Sequence, residues 1–173
     1  MAIADAFPTD KETFKSKFGY EFNDLKAETF EWLKEQELAV FLYFAGRENI
    51  GVGGIAVAPA NAGFFAMGLA MLQQIIPINA IPASFTLDSI IYVAPTFRHT
   101  HFNGKQIVVH NRTDDRHDIF AYNLYPGPSA KKGLYGALLT KGEKEGWITA
   151  HCSTVQAVSP YDNVTTFMHE GAS

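Results

Sequence analysis

The sequence predicts an α/β fold in which a mixed sheet is flanked by helices. Three observations predict it. Runs rich in β-branched and aromatic residues recur at 38–45, 84–93, 105–111 and 118–124, and helical patterns stand before, between and after them. The first helical pattern brings its own start signal, Thr9 followed three residues later by Glu12, ahead of Phe14 and Phe18. Only the charged turn from Arg112 to His117 separates the runs at 105–111 and 118–124. That is too short for a crossover, so those two strands pair antiparallel.

In chain order, the capping box at Thr9 opens a short helix that Gly19 ends, and Asn23 caps a second. The second turns an apolar face of Leu25, Phe30 and Leu33 inward and spreads Lys and Glu over the remainder. Leu38 to Ala45 is apolar at nearly every position, which predicts a strand buried on both faces. Gly46 to Asn49 turns the chain. The glycines of Gly51-Val52-Gly53-Gly54 could gather backbone N–H groups around an anion, but they lack the spacing of a dinucleotide fingerprint. They read as a tight turn before a strand at 55–58. Ala62 to Ile76 is apolar all round and predicts a helix lying under or between sheet layers. Pro59, Asn61 and Gln73-Gln74 leave it too little uninterrupted apolar length to cross a membrane.

Ser84 to Val93 alternates as a strand does, and Pro95 to Gly104 is a loop carrying Arg98, His99 and His101. Tyr125 to Ser129 is a second loop, which delivers Lys131-Lys132 to a helix at 133–144 with Leu134, Leu138 and Leu139 on one face. Trp147 to Val155 and Asn163 to Met168 are two further strands, separated by the turn signal Pro160-Tyr161-Asp162-Asn163. Neither a repeat nor a linker divides the chain, so residues 1–173 are expected to form one α/β domain. Strand 163–168 runs into Gly171-Ala172-Ser173, which is how a phosphate loop of the form G-x-x-x-x-G-K-[ST] begins. The expectation is an N-terminal portion of a longer chain whose nucleotide-binding domain starts near 163–173.

A hydrophobic share of 47% in 173 residues supports a sizeable core. Only 18% of residues are charged, an apolar balance consistent with surface that a partner or second domain covers. The net charge of −4 argues against nucleic acid and anionic membranes as partners. The single cysteine, Cys152, excludes an internal disulfide framework and fits a reducing, cytoplasmic setting.

Six histidines invite a metal site. His99 and His101 share a loop, and His110 and His117 flank a turn. None of these has a Cys or carboxylate at ligand spacing, so surface or hydrogen-bonded histidines are expected. His151-Cys152-Ser153 admits a nucleophile with an adjacent base, a two-histidine phosphoesterase pair with His99-x-His101, or a metal ligand at His151. Adjacent residues on a strand point to opposite faces, which disfavours a Cys152–His151 couple.

Four phrases occur in order: Ala121-Tyr122-Asn123-Leu124, Lys131-Lys132-Gly133, Ala150-His151-Cys152-Ser153 and Gly171-x-Ser173. Together they resemble ATP-dependent phosphoenolpyruvate carboxykinase, over residues 119–173. The resemblance implies a fold like the N-terminal domain of that family. It places the family's metal-binding lysine on Lys132 and its metal-binding histidine on His151. The cation implied is Mn or Mg, with ATP bound by a loop opening at Gly171, Ala172 and Ser173. A lysine ligates only as the neutral amine, which the neighbouring charge of Lys131 would favour. Arg98, in Thr96-Phe97-Arg98, stands for the family's substrate arginine, with Phe97 in place of a glycine. Tyr125 stands for its substrate tyrosine, with Pro126-Gly127 in place of two glycines.

The implied activity is decarboxylation of oxaloacetate and phosphorylation of the resulting enolate, with the substrate held by Arg98 and Tyr125. The chain by itself is expected to be inactive without the nucleotide-binding domain. Two other readings stay open: a phosphotransferase with a related core, such as an HPr-kinase-like protein, and a non-catalytic binding or assembly domain.

Overall fold

The computed structural model describes residues 1–47, 50–94, 106–123 and 128–170, with the side chains of residues 47, 50 and 128–132 outside that description. The described residues form two compact units, Met1–Lys141 and Gly142–Ser173. The first is α/β, with a mixed six-stranded sheet and helices on both faces.

The sheet order is β1(Ala2–Ile3), β5(Ile107–Arg112), β6(His117–Tyr122), β4(Leu87–Ala94), β3(Ile50–Pro59), β2(Leu38–Arg47). β6, β4 and β3 are mutually parallel, β1 is parallel to β5, and the β5–β6 and β2–β3 pairs are antiparallel. The predicted antiparallel neighbours are therefore β5 and β6, with Arg112 opposite His117.

One face of the sheet is covered by α1(Phe14–Phe18) and α2(Phe22–Lys34). Phe14, Phe22 and Leu25 pack there on Val109, Phe120 and Tyr122. Tyr122 lends its hydroxyl to Thr29 at 2.7 Å, and Thr29 donates onward to the Leu25 carbonyl at 2.6 Å, so this buried polar pair is satisfied. On the other face lie α3(Gly63–Met71) and the first part of α4(Pro128–Lys144). Phe65, Leu69, Leu134 and Ala137 pack with Tyr43, Ile91 and Ile119.

Several sequence expectations shift. The cap of α1 is Thr13, whose hydroxyl accepts from Ser16 N at 3.1 Å, while Thr9 accepts from Lys11 and Glu12 pairs with Lys17. Gly19 does end α1, at φ 81°, where its missing Cβ removes the left-handed penalty. α2 begins at Phe22, ahead of Asn23. β2 is an edge strand with Leu38 and Val40 exposed, not one buried on both faces. Its outer edge is partly capped by residues 74–76, through Phe44 N to Gln74 O and Ile76 N to Leu42 O.

The glycines at 51, 53 and 54 lie inside β3 rather than in a turn before it. α3 stops at Met71, short of Ile76, and Gln74 takes φ 122° as the chain turns back to β2. α4 starts at Pro128, so Lys131 and Lys132 stand in its first turns.

In the second unit, β7(Ser153–Val158) and β8(Val164–His169) form an antiparallel hairpin. The turn closes through Ser159 N to Asn163 O at 2.9 Å, with Asp162 at φ 57°. Trp147 N donates to Gly142 O at 2.8 Å and finishes α4. Both strands of this hairpin are exposed along their length.

Candidate functional site

Parallel strands direct their carboxyl ends to one edge of a sheet, where the following loops gather, and open α/β sheets bind ligands there. In the first unit that edge is well defined. Ala94, the last residue of β4, is paired with Tyr122, the last residue of β6, and Asn123 N–H donates to the Ala94 carbonyl at 3.1 Å. Asn123 holds φ 53° in doing so, a left-handed conformation that asparagine tolerates better than most residues. The chain thus leaves two adjacent strand ends at the same place.

The candidates Arg98 and Tyr125 follow these ends in sequence, Arg98 after β4 and Tyr125 after β6, and both lie outside the described residues. So do His99, His101, Gly171, Ala172 and Ser173. Lys132 stands in α4, in the first unit, with its side chain outside the description. His151 belongs to the second unit, where it is exposed and precedes β7 rather than lying within it. The alternation argument against a Cys152–His151 couple therefore does not apply, since neither residue is in a strand. Cys152 Sγ lies 3.6 Å from Thr154 Oγ1. His169 ends β8 and is also exposed.

The fit of a divalent cation can be judged from the donors. Among the described residues no three His, Cys, Asp or Glu side chains come together as a metal-holding group. The described part of the implied ligand set is His151 alone, so any cation would also need Lys132 and further donors.

The clearest polar cluster among the described residues joins two histidines that the sequence expected to be surface or hydrogen-bonded but did not pair with each other. His110 Nδ1 and His117 Nε2 lie 2.8 Å apart, both rings buried, and His117 Nδ1 lies 3.2 Å from Thr140 Oγ1. The Thr140 hydroxyl donates to the Gly136 carbonyl at 3.0 Å, so it accepts from His117 Nδ1–H. His117 Nε2 is then the acceptor for His110 Nδ1–H. That leaves His110 Nε2 as a buried lone pair with no hydrogen-bond partner among the described residues.

Burial, the Met1 amino group and Arg112 push the His110 pKa down to about 4, against a smaller upward pull from Asp5. α4 reaches the pair because residue 136 is glycine. A Cβ there would stand 3.0 Å from His110 Cε1. The signal was present in the sequence: on a short hairpin with 112 opposite 117, residues 110 and 117 share a face and are diagonal neighbours. The pair lies at the amino end of β6, at the opposite edge from the Ala94–Tyr122 exit, so it serves packing rather than the candidate site.

Two ion pairs fasten the same frame. Asp88 accepts from Gly53 N at 2.9 Å and from Lys141 Nζ at 2.8 Å, tying α4 to β3 and β4. Asp5 takes Arg112 in a two-pronged contact that holds the N-terminal strand on β5, and the guanidinium also lies 5.6 Å over the Phe7 ring. A shallow apolar groove of about 530 Å³ on the α2 face is lined by Phe30, Leu33, Leu38, Val57 and Tyr92 with Glu31 and Lys34 at its rim, and it presents no histidine or cysteine.

Among the described residues no helix is long and apolar enough to cross a membrane. The family model described as "Domain of unknown function (DUF4914)" matches residues 1–173. No curated protein matches the chain.

Proposed function

The chain belongs to the DUF4914 family along residues 1–173, and from that premise we propose that it is part of a phosphoenolpyruvate carboxykinase-like enzyme, acting on a small carboxylate substrate with a divalent cation and ATP. One observation carries the reading. Arg98 and Tyr125 follow directly in sequence on the carboxyl ends of β4 and β6, the paired strands whose shared edge is where an open α/β sheet takes its ligand. α4 then carries Lys131-Lys132 in its first turns, and His151 stands just ahead of β7.

In this reading Arg98 grips a substrate carboxylate through paired N–H groups, and Tyr125 packs against the substrate. Lys132, as the neutral amine, and His151, through an imidazole nitrogen, hold the cation. When bound, the cation neutralises charge on the enolate oxygen and on the transferring phosphoryl group. Loss of CO2 breaks a carbon–carbon bond of oxaloacetate and leaves its electron pair on the enolate, whose oxygen takes the terminal phosphoryl of ATP and releases ADP. The start of the nucleotide loop is assigned to Gly171, Ala172 and Ser173.

Calorimetric titration with Mn2+ tests the ligand pair. Wild type is expected to bind weakly but measurably, and Lys132→Ala and His151→Ala are each expected to weaken binding about tenfold or more. Equal weak binding by all three would show that no such pair exists.

A further inference from the structure

α3 is apolar on every side, yet the sheet uses only one of them. Phe65, Ala66, Leu69 and Ala70 are buried on β2 and β3. The opposite side presents Phe64, Met67, Met71 and Leu72, and the segment beyond it adds Ile78 and Ile81, all exposed. The sequence placed this helix under or between sheet layers; it lies on one face of the sheet and its outer side is exposed. Between Glu48 and Asp88 the chain carries no Asp, Glu, Lys, Arg or His. An exposed apolar face of this kind, with no charge interspersed, marks an interaction surface.

We propose that this face is the contact between two copies of the chain, with α3 packed antiparallel on α3 of its partner. Three features commit it to a second copy. The exposed parts of the six residues amount to roughly 700 Å² per chain, taking a large apolar residue as about 200 Å². Two such faces together remove at most roughly 1,400 Å², which lies in the lower range of specific, stable interfaces.

A two-fold contact also sets each residue near the axis against its own counterpart, so a charge there would meet its like. This face has none. The third feature is Gly68, at the middle of the exposed side. Glycine inside a helix is unfavourable, and a Cβ at Gly68 would meet nothing within 4 Å among the described residues, which thus make no use of the missing side chain. A second helix crossing at Gly68 does use it, because the axes can then approach closely while Phe64 of one copy meets Met71 of the other. A membrane surface fits less well, since interfacial helices carry Lys and Arg along their polar face and α3 has no polar face.

Sedimentation equilibrium over a wide range of protein concentration tests the proposal. Wild type is expected to dimerise. Phe64→Lys is expected to raise the dimer Kd about a hundredfold or more, with far-UV circular dichroism unchanged because the side chain points away from the core. Gly68→Leu adds bulk into open space, so it leaves the monomer folded and is expected to weaken the dimer likewise. A wild type that stays monomeric at every concentration would overturn the proposal, as would a dimer indifferent to both substitutions. Binding of monomeric protein to neutral phosphatidylcholine vesicles, lost in Phe64→Lys, would give the face to a membrane and overturn it too.

Discussion

Acidification from pH 6.5 to pH 4 is expected to remove about 3 kcal/mol of folding stability through His110 alone. Its folded pKa of about 4 lies below the ordinary value of 6.5. In that window the unfolded chain binds a proton that the folded chain refuses, so stability falls as pH falls. The contribution is intact above pH 6.5 and fully lost below pH 4. The cause is structural. His110 Nδ1–H is committed to His117 Nε2, and its buried Nε2 has no hydrogen-bond partner among the described residues, so a second ring proton there is disfavoured by burial. The Met1 amino group and Arg112 add repulsion against that proton. Urea denaturation at pH 7.0 and 4.5 checks the expectation, with His110→Gln as the variant whose stability is flatter with pH. Burial pulls the Asp5 carboxyl up, but the hydrogen bonds and charge of Arg112 outweigh it and hold the group below its ordinary value, so its own loss comes at lower pH and does not obscure the comparison. A wild type and His110→Gln that lose stability in parallel would rule the mechanism out.

Gly53→Ala and Gly54→Ala are each expected to cost about 3 kcal/mol or more, read from the urea midpoint at neutral pH. A Cβ at Gly53 would overlap the Thr86 carbonyl oxygen and the Phe85 ring, and backbone cannot swing aside as a flexible side chain can. At Gly54 the obstacle is the Tyr43 ring, which lies across the strand so that its hydroxyl reaches Ser89 Oγ at 2.5 Å inside the core. Displacing that ring breaks a buried polar pair as well as packing. The control is Gly68→Ala, where the Cβ meets open space. It is expected to gain up to about 1 kcal/mol of monomer stability from helix propensity. Three equal effects would mean that the glycines act through chain flexibility instead.

These glycines also show why part of the fold was hidden in the sequence. Gly51-Val52-Gly53-Gly54 has the composition of a turn, and local composition cannot report that Tyr43 and Phe44 of β2, and Phe85 from the segment before β4, fold over those positions. The reverse holds for the β5–β6 hairpin, which was legible because its turn is short and its apolar runs are regular. α2 was legible through Leu25 and Leu33, and the end of α1 through Gly19.

The start of α1 was not, since Thr9 and Thr13 both offer a capping hydroxyl, and the one that caps is Thr13, which is bridged to Ile3 of β1. α3 was read as a longer helix because apolar residues continue to Ile76, whereas residues 74–76 are drawn off to cap the β2 edge. Of the candidate site, the sequence supplied residue types and order, while the side-by-side exits at Ala94 and Tyr122 needed strand topology. His110 and His117 were expected to be surface or hydrogen-bonded, but that they bond to each other depends on register.

The ligand pair at the centre of the proposed function is open to a direct measurement. With isotope-labelled histidine, a small fraction of Mn2+ is expected to broaden the ring signals of His151 well before those of His169, which is exposed on the same hairpin unit. Lys132→Ala is expected to abolish that preference. His151 and His169 broadening together, or a His151 response unchanged in Lys132→Ala, would contradict a cation shared by Lys132 and His151.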